Sequence, residues 1–141
     1  ELERLAKACG VIFRAFVPHL SSLFDSADAL VCMGGYNTLT EAVAHGIPTV
    51  CVPRNVPRRE QLIRAEAFAR LGLLQVCLPT ELHPAWLRQK IDTALASPRE
   101  PLRARARAQL QFDGARLAAK HLLQIGREAV DRDKASALAA A

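Results

Sequence analysis

The chain has 141 residues, half of them hydrophobic and 5% aromatic, with a formal net charge of +5. That length suffices for one domain with a real core, and no apolar run approaches the ~18 residues of a membrane span. A basic chain can attract nucleic acid, but the aromatics are too few for base-stacking platforms, so no nucleic-acid partner is expected. Cys9, Cys32, Cys51 and Cys77 show no C-x-x-C spacing, and three of them fall inside apolar runs. They read as small hydrophobes in a reducing cytoplasm, not as a metal site or a disulfide framework.

Glu1 to Cys9 carries Leu2 and Leu5 at helical spacing and is too charged for a signal peptide. An opening without methionine, inside a helical pattern, suggests a piece of a longer protein. Gly10 ends this helix, and Val11-Ile12-Phe13 with Ala15-Phe16 predicts a first strand. Pro18 then opens a short helix with Leu20, Leu23 and Phe24 as its buried face.

The next stretch, DALVCMGGYNTLTEAVAHGIPTVCVP (28–53), organises the rest. Ala29 to Met33 is a continuous apolar run of strand length, suited to a strand buried on both faces. Gly34 and Gly35 follow, then a helix capped by Asn37 or Thr38, with Glu41 near its positive end. Gly46 and Pro48 stop that helix, and Thr49 to Val52 reads as a second buried strand. A glycine pair opening a helix leaves free N–H groups that suit a phosphate. It serves equally as a tight connection that binds nothing, and the local pattern leaves both readings open. Neither the Walker pattern nor G-x-G-x-x-G is present.

After the polar segment RNVPRREQ, residues Leu62 to Leu71 carry an apolar stripe and Gly72 ends it. Leu73 to Leu78 predicts another strand. Leu87, Ile91 and Leu95 mark the next helix, and helical periodicity resumes from Pro101 to Ile125, where Gly114 can bend or divide it. The tail after Val130 is poor in large apolar groups, so residues 131–141 are expected to be disordered. Helices alternating with short apolar strands define an α/β class with a Rossmann-like, doubly wound parallel sheet. Ligands in this architecture bind outside the carboxyl ends of the strands, where residues 16–19, 34–38 and 54–64 are expected to converge.

The string SADALVCMGGYNTLTEAVAHGIPTVCVPRNVPRREQLIRAEAFARLGL resembles the carboxyl-terminal half of GT-B glycosyltransferases. It is similar to the peptidoglycan enzymes that transfer N-acetylglucosamine from UDP, and closer to bacterial glycosyltransferases sharing GGYNT and VPRREQLIRAE. The resemblance runs from Val11 to Leu95. It implies an amino-terminally truncated donor-binding domain over residues 1–130, a nucleotide-sugar partner (UDP-linked), and no cofactor. The Phe16-Val17 segment would meet the base, and Gly34, Gly35, Tyr36, Asn37 and Thr38 the diphosphate. Glu41 would accept hydrogen bonds from the ribose. Gln61 matches a residue of the donor-sugar region; Glu60 and Arg64 depart from the peptidoglycan enzymes there, which leaves the sugar open.

Arg54, Arg58, Arg59 and Arg64 are further candidates for the diphosphate. The acceptor domain and the catalytic base would precede Glu1, leaving the isolated chain without transferase activity. His19 is the histidine nearest the expected cleft. The acceptor would lie at a membrane surface, placing the parent in the cytoplasm or peripherally at the inner membrane, and the isolated chain is expected to self-associate. The rival readings are an epimerase or hydrolase sharing the cleft, or a non-catalytic interaction module.

Overall fold

The computed structural model describes residues 1–54, 56–57 and 59–139. These fall into two units, Glu1–Ala108 and Gln109–Ala141. Unit 1 contains α1 (Leu2–Ala8), a 3-10 turn (Leu20–Leu23), β1 (Leu30–Cys32), α2 (Tyr36–His45), β2 (Thr49–Cys51), α3 (Glu60–Arg70) and β3 (Gln75–Val76). A second 3-10 turn (Pro79–Glu81), α4 (Pro84–Leu95) and α5 (Arg99–Gln109) follow. The second unit is built on α6 (Gly114–Ala139).

The strands form one parallel sheet in the order β1-β2-β3. β2 is central and buried at all three positions. Its residues alternate between faces, as the period of two demands. Leu30 packs with Phe24, Ala42 of α2 and Ile47 on one side. Val50, with Val52, packs against Leu87, Ile91 and Ala94 of α4 on the other. Helices therefore cover both faces. Fully burying a side chain such as Leu39, Ile47 or Val50 contributes about 1.5–3 kcal/mol each.

Several expectations are corrected. Residues 11–16 form no strand: the Val11 amide donates back to Ala6, and Ile12 and Phe16 are about four-fifths exposed. An apolar run becomes a strand only beside a partner, and no ladder of the described residues reaches this one. β1 is an edge strand with Val31 half exposed, so burial on both faces holds for β2 alone. The segment after Pro18 is a single 3-10 turn in which Leu20 and Leu23 are exposed; only Phe24 is buried. The backbone of 131–139 lies within α6. Alanine is the strongest helix former, and its propensity acts without any packing surface.

Gly46 terminates α2 in the left-handed region at φ 67°. A Cβ there would lie 2.7 Å from Arg103 Cβ and 2.9 Å from Arg103 N, so glycine also permits the close approach of α5. That helix carries four of the chain's 19 Lys and Arg residues. The Arg99 guanidinium donates to the carbonyls of Phe24, Asp25 and Ala27. Arg103 donates to the His45 carbonyl at 3.1 and 3.3 Å, and Arg105 to the Gly72 carbonyl at 2.7 Å. These carbonyls lie at or just beyond the ends of helices, where acceptors lack intrahelical partners. The arginines are fasteners of the fold.

Candidate functional site

The turn between β1 and α2 is built from two glycines with different duties. Gly34 has φ 84°, a conformation that L side chains rarely adopt. A Cβ on it would meet the buried Cys51 Sγ at 3.0 Å and Gln61 Cβ at 3.6 Å. Gly35, by contrast, has φ −57° and ψ 141°, ordinary for any residue. A Cβ there would have only Thr38 Oγ1 nearby, at 4.0 Å. Gly34 is required by the backbone; Gly35 leaves open space.

Gly35 is also the N-cap of α2, so no side chain caps the helix. Asn37 and Thr38, expected as caps, lie inside the first turn because the helix starts at Tyr36, earlier than expected. The first amides of a helix have no intrahelical partner and carry the positive end of its dipole. Here they open beside Gly35.

Two side chains from α3 close the site from beneath. Arg64 Nη1 donates to the Gly34 carbonyl at 2.9 Å, and its guanidinium lies 5.2 Å from the centre of the Tyr36 ring. Gln61 Oε1 accepts from the Arg54 amide at 3.1 Å. Beside them, Arg54, Val56, Pro57, Glu60 and Gln61 line a cavity of about 150 Å³. Arg64 is therefore engaged with the turn itself. Cys32 and Cys51 lie at the ends of β1 and β2, as register partners. A hydrogen bond from the Cys51 thiol, opposed by burial and helped by the Gly34 backbone, lowers the Cys32 thiol to about 7. The same pairing, with burial, pushes the Cys51 thiol up.

The structure brings Gly34, Gly35, Tyr36, Asn37, Thr38, Gln61 and Arg64 together, with Glu60 at the start of α3. Glu41 is exposed, farther along α2, and Arg59 is the exposed N-cap residue of α3. Phe16 and Val17 are not joined to the turn by any hydrogen bond among the described residues. His19 is exposed, in a left-handed backbone at φ 51°. Arg58 lies outside the described residues.

Sequence reading missed the cysteine pair, whose signal was one cysteine near the end of each of two successive apolar runs. Another cavity, about 330 Å³, opens where β2 begins, lined in part by Thr49, Thr93, Ser97 and Arg105. Each of these already donates to a protein carbonyl. Among the described residues no three His, Cys, Asp or Glu side chains gather as a metal site, and no helix is long and apolar enough to cross a membrane.

A parallel sheet covered on both faces, with a glycine turn feeding an uncapped helix, defines a Rossmann-like α/β domain. Residues 4–122 match the C-terminal domain of glycosyltransferase family 28, and the chain belongs to that family. A relative in Moorella thermoacetica (strain ATCC 39073 / JCM 9320) is 34% identical over 105 residues. The match covers 74% of this chain and 28% of that protein, a UDP-N-acetylglucosamine--N-acetylmuramyl-(pentapeptide) pyrophosphoryl-undecaprenol N-acetylglucosamine transferase.

Among solved structures, glycosyltransferase VinC in complex with DTDP superposes with a TM-score of 0.67 at 26% identity, covering 91% of this chain and 33% of that one. CalG4, the calicheamicin glycosyltransferase, gives 0.63 at 30% identity, covering 82% and 30%. The fold is that of the GT-B glycosyltransferases. The chain spans about a third or less of the length of these proteins.

Proposed function

We propose that this chain is the donor half of a glycosyltransferase, holding a nucleoside-diphosphate sugar while a second domain presents an acceptor hydroxyl. The observation that carries this reading is the uncapped start of α2 behind Gly34 and Gly35. It offers unpartnered amides and a positive dipole end with open space in front, the arrangement a diphosphate seeks. Family membership and the likeness to a glycosyltransferase solved with DTDP support it.

In this reading the Phe16-Val17 segment meets the base, the turn through Thr38 holds the diphosphate, and Glu41 accepts from the ribose hydroxyls. Glu60 and Gln61 face the sugar. Arg64 orients the turn and adds positive charge beside it. As the sugar departs, charge builds on the diphosphate, and these fixed amides stabilise it without reorganising. UDP is the first nucleotide to test, because the Moorella relative is named for a UDP sugar.

The isolated chain binds but does not transfer, and the base that takes the acceptor proton belongs to the second domain; His19 is the histidine to mutate here. The acceptor is carried at a membrane surface. The exposed apolar residues Val11, Ile12 and Phe16 support association with that second domain or with another copy.

The reading is tested by calorimetric titration of UDP and a UDP-sugar into the chain and into a longer parent, as wild type and as Glu41→Gln. A charge-assisted hydrogen bond contributes roughly 1.5–3 kcal/mol, of which an amide keeps only part, so affinity should fall by about tenfold. Equal affinities would assign Glu41 to the solvated surface. No binding of either nucleotide by the parent would overturn the donor-site reading.

A further inference from the structure

We propose that Cys32 and Cys51 are a thiol pair that hydroperoxides convert reversibly to a disulfide, deforming the glycine turn above them. The two are register partners on neighbouring parallel strands, so their side chains leave the same face of the sheet. Adjacent strands lie ~4.8 Å apart, within the roughly 4.4–6.8 Å between α-carbons that a disulfide spans. Both thiols are free, and the Cys51 thiol favours the thiolate form of Cys32 beside it. Cys32, half-buried at the end of an edge strand, is the one peroxide meets first; Cys51 is fully buried behind it. With its thiol held near 7, Cys32 is substantially thiolate at neutral pH, which is the reactive form.

The Cys32 thiolate attacks one peroxide oxygen, the O–O bond breaks, and the departing hydroxide takes a proton to become water. Cys51 then attacks the sulfur of the resulting sulfenic acid. The S–O bond breaks, and the second hydroxide leaves as water with the Cys51 proton. In sum, two thiols and one hydrogen peroxide give one disulfide and two waters; sulfur is oxidised and peroxide oxygen reduced. In-register parallel residues set their Cα–Cβ bonds side by side, not face to face. The bond forms under strain and is readily reduced.

The turn is sensitive to this because Gly34 rests on Cys51. The position a Gly34 Cβ would take is 3.0 Å from Cys51 Sγ, so drawing that sulfur towards Cys32 removes the support under the left-handed residue. Weaker diphosphate binding on oxidation rests on the function proposed above; the covalent change does not.

The test uses Cys9→Ser, which removes the exposed thiol. Reduced protein is treated with equimolar hydrogen peroxide, alkylated and digested with trypsin; the peptide of residues 15–54 holds Cys32 and Cys51 and no other cysteine. The expected product is that peptide lighter by two hydrogens, closed to alkylation, and restored by dithiothreitol. Amide exchange across residues 33–38 should quicken, and UDP affinity should fall roughly tenfold, as for loss of one charged hydrogen bond. In Cys51→Ser no such product should form.

Oxidation that stops at a Cys32 sulfenic or sulfinic acid, with Cys51 still alkylated under denaturant, would overturn the pair. A disulfide that leaves exchange at 33–38 unchanged would overturn its coupling to the turn. Failure of the reduced protein to bind UDP would count against the donor site alone, since mass and exchange decide the thiol chemistry without nucleotide.

Discussion

Replacing Gly34 and Gly35 separately by alanine divides backbone necessity from ligand space. At Gly34 an L side chain meets two penalties. Its φ of 84° places it in the left-handed region, which costs about 1–2 kcal/mol for a residue with a Cβ. The new methyl also contacts Cys51 Sγ at 3.0 Å and Gln61 at 3.6 Å, and overpacking a filled site costs roughly 1–3 kcal/mol. The sum, roughly 2–5 kcal/mol, is a large share of the ~5–15 kcal/mol that holds a domain together. It should lower the melting temperature by roughly 10 °C or more.

Gly35→Ala has neither penalty. Its backbone is ordinary and its nearest neighbour would be 4.0 Å away. The reduced freedom of the unfolded chain, about 0.4–1 kcal/mol, is offset by the loss of glycine's advantage over alanine at an N-cap, a similar fraction of ~1 kcal/mol, so the net change is small. Its methyl would instead intrude where the α2 amides face outwards, so UDP affinity should fall while stability holds. Urea denaturation with parallel calorimetric titration measures both quantities. A Gly34→Ala protein as stable as wild type would refute the account of the turn, and Gly35→Ala with unchanged UDP affinity would take Gly35 out of the site.

Two further predictions concern the opposite end of the sheet. Arg99→Met should lose about 2–4 kcal/mol, because the carbonyls of Phe24, Asp25 and Ala27 lose a charged donor; an unchanged urea midpoint would mean that water replaces the guanidinium. Asp25 is held below its ordinary value of 3.8, first by the hydrogen bond with His45 and then by the fields of Arg103 and Arg99. A lowered folded value means that its stabilisation is fully present above 3.8 and is lost as pH falls through the folded value. Stability-versus-pH curves of wild type and Asp25→Asn should therefore differ near neutrality and converge in acid, and parallel curves would exclude the linkage.

Much of the β1–turn–α2–β2 unit was legible because its signals are local. An apolar run, a glycine pair, a Gly46 stop and Pro48 each act on the residues beside them. What sequence could not assign was the division of labour between Gly34 and Gly35, because it depends on Cys51 and Gln61 packing from other elements. The N-cap was misread for a related reason: Asn37 and Thr38 are good caps by type, but the sharp turn at Gly34 starts the helix sooner. Residues 11–16 have strand composition without a strand partner. Arg99 binds a carbonyl 75 residues away, and no periodicity announces such a contact. The Cys32–Cys51 pairing is a matter of register, which exists only once two strands lie side by side.

The two ends of α2 are treated differently, and the difference has an electrostatic consequence. At its carboxyl end the helix is finished: Gly46 supplies the left-handed cap and Arg103 donates twice to the His45 carbonyl, setting a cation against the negative pole. At its amino end there is no acidic residue in the first turn, no capping side chain, and only the small Gly35. A capping side chain in place of alanine typically stabilises a helix by ~1 kcal/mol, and glycine forgoes only a few tenths of that. The bare amino end is thus inexpensive to maintain, and among the described residues no side chain caps its first amides. Arg64, bonded to the Gly34 carbonyl, turns that one acceptor of the loop towards α3 and neutralises it. In the proposed donor site, the result is a helix start with no carboxylate in its own first turn, fixed in position by the buried β2 and by the clamped far end of α2.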